Sequence, residues 1–182
     1  MSTTMVTPDT TLTGERADLH QALANARHFL KFTTRELSDD QARLRTTASA
    51  LTLGGLIKHV TGVEEQWRNF IVQGRAAMGW DGTDFSTITE EMMEAFHEEF
   101  RMNADETLAG LLQRYDEVAA ATDELLATVD LDQVHELPQA PWFTGTHWSV
   151  RRTLLHIIAE TTQHAGHADI IRESLDGAKS MG

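Results

Sequence analysis

Leu108, Leu111, Tyr115, Val118, Thr122, Leu125 and Val129 recur at spacings that alternate strictly between three and four residues. An α-helix, with 3.6 residues per turn, gathers such a series onto one face. A seam this regular is the side of a helix that packs along another helix. It predicts a long bundle helix from about residue 105 to 129. Three further stretches share the period. The first, from about residue 15 to 37, carries it on Leu19, Leu23, Ala26, Leu30, Thr33 and Leu37. A break at residues 38–40 and a short irregular stretch lead to the second, from about 52 to 73. The last begins near Ser149, a good N-cap, and stops at Gly177, which suits a left-handed C-cap.

The connections read differently. "GWDGTD" marks a loop, and "TITEEMMEAFHEEF" reads as a short helix inside a long crossover. "ELPQAPWFTGTHWS" is a proline-containing loop ahead of the last helix, and no stretch shows a strand pattern. The expectation is an all-α four-helix bundle with a long crossover between its second and third helices. Residues 1–13 read as a flexible polar tail and residues 14–182 as a single domain, a length sufficient for one core. No apolar run approaches the roughly 20 residues that span a bilayer, and the first residues lack a basic-then-apolar leader. A cytoplasmic location, off the membrane, is expected.

Charge and cysteine count exclude several kinds of chemistry. The net charge of −13 argues against nucleic acid and against anionic lipid as partners. With no cysteine, the chain has no disulfide, no thiol nucleophile and no thiolate ligand. Any metal must sit on histidine and carboxylate. Any sulfur chemistry must use a thiol brought from outside.

The last helix holds the ligands for such a metal. With His156 at zero on a helical wheel, Glu160, His164 and His167 fall at ~40°, ~80° and ~20°. Arg151, Asp169, Glu173 and Asp176 fall at ~200–260° on the same wheel, which marks the solvated side. The His/Glu arc therefore faces inward. A buried carboxylate beside three imidazoles requires pairing, protonation or a cation. In the second helix, His59 shares a face with Leu56, Val63, Trp67 and Phe70. His59, Glu160 and His164 form a candidate two-histidine, one-carboxylate set with positions left for water or substrate. His156 and His167 stand beside it, either tuning the ligands and moving protons or simply lining the core edge. Trp148 and Arg151 are candidates for substrate contact, or else an anchoring core tryptophan and an ordinary surface arginine.

"LTLGGLIKHVTGVEEQWRNF" and "WSVRRTLLHIIAETTQHAGHADIIRESLDG" resemble the DinB-like superfamily, in particular its actinobacterial mycothiol-dependent branch. The resemblance implies an up-down-down-up four-helix bundle that binds a divalent metal, often as a homodimer. The superfamily commonly uses three histidines, which fall here on His59, Glu160 and His164, so the middle position departs. The mycothiol-dependent maleylpyruvate isomerases share that departure, holding zinc with two histidines and a glutamate. The implied function is an S-transferase in which the metal activates a low-molecular-weight thiol such as mycothiol for attack on an electrophilic substrate. Zinc is the first expectation for the metal, and nickel, iron and manganese accept the same ligands. The alternatives are a thiol-dependent isomerase, a non-catalytic metal-binding or structural bundle, and a hydrogen-bonded core network without an ion.

Overall fold

The computed structural model describes residues 12–79, 82, 83, 85, 87 and 89–180. Most of the expected tail, residues 1–11, lies outside them. In chain order the elements are α1 (Gly14–Phe32), α2 (Asp39–Arg43), α3 (Leu53–Gln73), α4 (Glu90–Glu98), α5 (Leu108–Thr128), β1 (Val134–Glu136), β2 (His147–Ser149) and α6 (Val150–Asp176). A single 3-10 turn, Gly74–Ala77, follows α3. The four long helices are those expected from the apolar period.

Side-chain contacts fix their directions. Glu15 meets Arg151, and Arg172 donates to the Thr33 carbonyl at 2.8 Å, so α1 and α6 run parallel. His59 packs on His164 and Trp67 on His156, so α3 runs against α6. Lys58 pairs with Glu106 and Glu65 with Arg114, which makes α5 parallel to α3. Arg16 reaches the Val129 carbonyl and Lys31 reaches Asp116, so α5 opposes α1. The bundle is up-down-down-up. Because α3 and α5 are parallel neighbours, the chain must return along the bundle between them, which is the task of the long crossover.

The core fills the bundle in two zones. Leu23, Phe70, Leu154 and Ile157, with Trp67, pack one end. Leu30, Leu56, Ile57, Tyr115, Ala168 and Ile171 pack the other. Ser149 and Gly177 cap α6 as expected, the serine accepting from the Arg152 amide and the glycine sitting at φ 79°.

Three local features differ from expectation. Helix α1 ends at Phe32, and the chain then turns through Glu36 at φ 59°. The segment at residues 38–43, expected to be irregular, is the short helix α2, with a reciprocal capping box between Ser38 and Gln41. The loop before α6 holds an antiparallel pair, β1 with β2, in which Val134 faces Ser149. At three residues each, these strands are too short to show an alternating pattern. Among the described residues no helix is long and apolar enough to cross a membrane.

Candidate metal centre

Antiparallel packing of α3 on α6 brings the second turn of one helix against the middle of the other. One ligand atom each from His59, Glu160 and His164 lies within 4.8 Å of the others. Glu160 and His164 are one turn apart on α6, with His164 Nε2 3.6 Å from Glu160 Oε2. His156 approaches the carboxylate from the preceding turn, its Nε2 3.8 Å from Glu160 Oε1. Two imidazoles thus flank one carboxylate. His167 stands behind His164, with the two Nδ1 atoms 3.4 Å apart. The structure therefore groups all five residues expected at the site.

His59 is held differently. Its ring stacks on Phe100 with centroids 3.8 Å apart and planes 22° from parallel. It meets the edge of His164 at 4.8 Å. Its Nδ1 is buried with no hydrogen-bond partner. Burial, aided by nearby His164 and opposed by Glu160, pushes the His59 ring down to about 4. Burial also pushes His156 down, against the pull of Glu160 and with a smaller push from Arg152. The His164 side chain, then His156 and His59, hold the Glu160 carboxyl below the usual range, although burial works against them.

At neutral pH the His59 and His156 rings are therefore neutral and the Glu160 carboxyl is ionised, the states in which such groups bind a metal. An ordinary core network would satisfy each member internally. Here Glu160, its side chain 29 % exposed, has no lysine or arginine partner among the described residues, and the His59 Nδ1 is buried without a partner. Two nitrogens and one oxygen suit a borderline divalent cation with a coordination position to spare. Ligands of one zinc ion stand roughly 3.3 Å apart, so modest side-chain rotation suffices to draw these atoms onto it. The residues fit the group.

Sequence reasoning missed Phe100. It arrives from the crossover, and its backbone docks where α3 has glycine. A Cβ on Gly55 would stand 1.8 Å from the Phe100 carbonyl oxygen, and one on Gly54 would stand 2.4 Å from the Met102 sulfur. Lys58 donates to the Arg101 carbonyl at 3.1 Å and pairs with Glu106, fastening the same segment. The "GG" of the second helix was the available signal.

The two candidate substrate contacts resolve toward structure. Arg151 is held by Glu15 and Asp132. Trp148 stacks on Trp67 at 4.9 Å and meets the His156 ring at 5.0 Å, forming an aromatic wall beside the site. An open depression of about 590 Å³ lies elsewhere, between α1 and α5, lined by Lys31, Thr34, Leu37, Leu108 and Leu112 among others. Two of its charged members, Lys31 and Asp116, pair with each other at 2.6 Å, and none of the five site residues lines it.

Comparison with known proteins bears on this arrangement. The pattern of the family described as mycothiol-S-transferase matches residues 18–177. The crystal structure of a conserved protein from Enterococcus faecalis superposes with a TM-score of 0.64 at 14 % identity, covering 92 % of this chain and 100 % of that one. That likeness is one of fold. No curated protein matches the chain.

Proposed function

Because this chain belongs to the mycothiol-S-transferase family, a DinB-like family, we propose that it joins a low-molecular-weight thiol of the mycothiol type to an electrophile at a divalent cation. His59, Glu160 and His164 would hold that cation, with zinc the first choice and nickel, iron or manganese able to take the same ligands. The observation that carries the reading is the convergence of three donors around a buried, unpartnered His59 nitrogen. A cation bound there favours thiolate over thiol near neutral pH.

The remaining work belongs to the chain. His167 lies against His164 Nδ1 and leaves Nε2 turned toward Glu160. His156, kept neutral by burial and one turn from Glu160, is the group placed to take the thiol proton. The sulfur then forms its bond to the electrophilic carbon, and the displaced group leaves with its bonding pair. Trp67 and Trp148 shield His156 from water on the other side. The expected alternative, an isomerase that later expels the thiol, has the same ligand set, and the family description favours transfer.

Elemental analysis of the purified full chain tests the site. Wild type should carry near one equivalent of divalent metal after incubation with zinc, and His164→Ala should carry almost none. Glu160→Ala should abolish thiol-dependent product formation. Unchanged metal content in His164→Ala, or an unchanged rate in Glu160→Ala, would sink the reading.

A further inference from the structure

The chain has fifteen lysines and arginines against twenty-eight acidic residues. Cations are scarce, and nearly all are taken. Those of the bundle pair with carboxylates or donate to backbone carbonyls, as Arg27, Lys58, Arg151 and Arg172 illustrate. Among the described residues only the Arg152 guanidinium has neither a hydrogen bond nor an ion pair. It stacks on the Trp148 ring instead, 4.2 Å from the centroid.

Its position is informative. Arg152, His156, Glu160 and His164 follow one another at intervals of four along α6. Such a row stays on one side of a helix, drifting ~40° per step. Arg152 is exposed, yet it lies off the solvated sector that holds Arg151, Asp169 and Glu173. Its α-carbon is roughly 12 Å along the helix from that of Glu160, with His156 between them. Trp148 backs the guanidinium carbon while its N–H donors make no hydrogen bond among the described residues, an arrangement in which arginine can receive a planar oxyanion. An unpaired cation beside a site that already contains a carboxylate, on a chain of net charge −13, is placed where an anionic ligand needs it.

We propose that Arg152, braced on Trp148, receives a carboxylate carried by the molecule that reacts at the His59, Glu160 and His164 centre. The substrate class is therefore narrowed to a thiol and electrophile pair of which one member carries a carboxylate one to two helical turns from its reacting atom. The inference rests on the metal reading given above.

The test uses the full chain loaded with cobalt(II), whose visible absorption reports a thiolate at the ion. Two probes of equal length are titrated, 6-mercaptohexanoate and the neutral 6-mercaptohexanol. Wild type should bind the acid about five-fold or more tightly than the alcohol, a preference that falls with added salt. Arg152→Gln should remove the preference by weakening the acid alone, and Arg152→Lys should restore part of it. A second arm fills the ion with 2-mercaptoethanol and follows hexanoate binding by calorimetry. Binding that Arg152→Gln abolishes assigns the carboxylate to the electrophile. Acid preference in the first arm without hexanoate binding in the second assigns it to the thiol. Equal affinity for acid and alcohol in wild type, with no Arg152-dependent hexanoate binding, overturns the proposal. Failure of cobalt to bind, or of either thiol to change the absorption, overturns the metal reading itself.

Discussion

Two glutamates, Glu64 on α3 and Glu160 on α6, face inward with opposite consequences. Glu64 is 0 % exposed and closed on itself: Arg27 donates to both of its oxygens, at 3.1 and 2.5 Å. The third nitrogen of that guanidinium donates to Asp123 at 2.8 Å, and His20 stands behind Asp123 at 3.5 Å. Every charge there has a protein partner. Glu160 has two imidazoles and, among the described residues, no lysine or arginine beside it, and it keeps an opening to solvent. Both clusters use α3, since His59 and Glu64 lie five residues apart on it. The difference teaches how to tell a structural polar cluster from a binding one. Folding alone satisfies the first, whereas the second leaves a buried His59 nitrogen without a partner among the described residues, which is what the proposed cation site would use.

Breaking the closed cluster should have the largest effect on stability. Glu64→Ala leaves Arg27 buried with its main partner gone, so the chain should lose about 3–5 kcal/mol. Urea unfolding of the metal-free protein measures it. The apolar pair Arg27→Met with Glu64→Leu should recover most of the loss. The metal content of the double variant should match wild type, because neither residue touches the open cluster. Glu160→Ala should do the reverse, losing metal while changing the metal-free stability by less than about 1 kcal/mol. If Glu64→Ala emptied the metal site without cost to stability, the distinction between the clusters would fail.

The open cluster should announce itself through pH. Burial puts the His59 ring near 4 in the folded, metal-free chain, against 6.5 when unfolded. Between those values the unfolded state binds a proton that the folded state refuses. Stability should therefore be fully present above about pH 6.5 and fall as pH drops toward 4, by on the order of 2 kcal/mol. His156 and Glu160, both shifted downward, act with the same sign. The urea midpoint of metal-stripped protein at pH 7, 5.5 and 4.5 tests this. The slope should shrink in His59→Gln, and an identical slope in that variant would remove His59 as its source.

The open cluster was also the more legible in sequence. Its α6 members share one face by simple helical arithmetic, and His59 shows as a lone imidazole on an apolar face. The four long helices were legible for a related reason: a packing period repeated over five or more turns outweighs local exceptions. The closed cluster left no such trace. Arg27, Glu64 and Asp123 come from three helices, and nothing in the spacing of one announces its partners on the others. Helix α2 was written as a capping box, Ser38 with Gln41, but five residues hold no apolar period. Phe100 was invisible because only tertiary docking brings it to His59. Its one trace is Gly54–Gly55 in the first turn of α3, where glycine disfavours helix unless another backbone must come close.

That docking supplies the smallest effect and the finest test of the comparison. In the closed cluster hydrogen bonds orient Arg27, Glu64 and Asp123, and at His164 a neighbouring imidazole, His167, stands at the second ring nitrogen. His59 makes no hydrogen bond among the described residues, so its plane is set by the Phe100 stack and the His164 edge. Phe100→Leu keeps an apolar cover of similar reach but removes the flat surface. Ring stacking of this kind contributes about 1 kcal/mol beyond area, so zinc affinity should fall roughly five- to ten-fold, with faster metal exchange. Phe100→Tyr, which restores the flat ring, should restore the affinity. Competition with a chromophoric chelator measures both variants, and urea unfolding of the metal-free forms checks that neither has lost its fold. Equal zinc affinity in Phe100→Leu and wild type would mean that the backbone contact at Gly55, rather than the ring, positions His59. In that case Gly55→Ala, which pushes the Phe100 carbonyl away, should weaken zinc binding where Phe100→Leu did not.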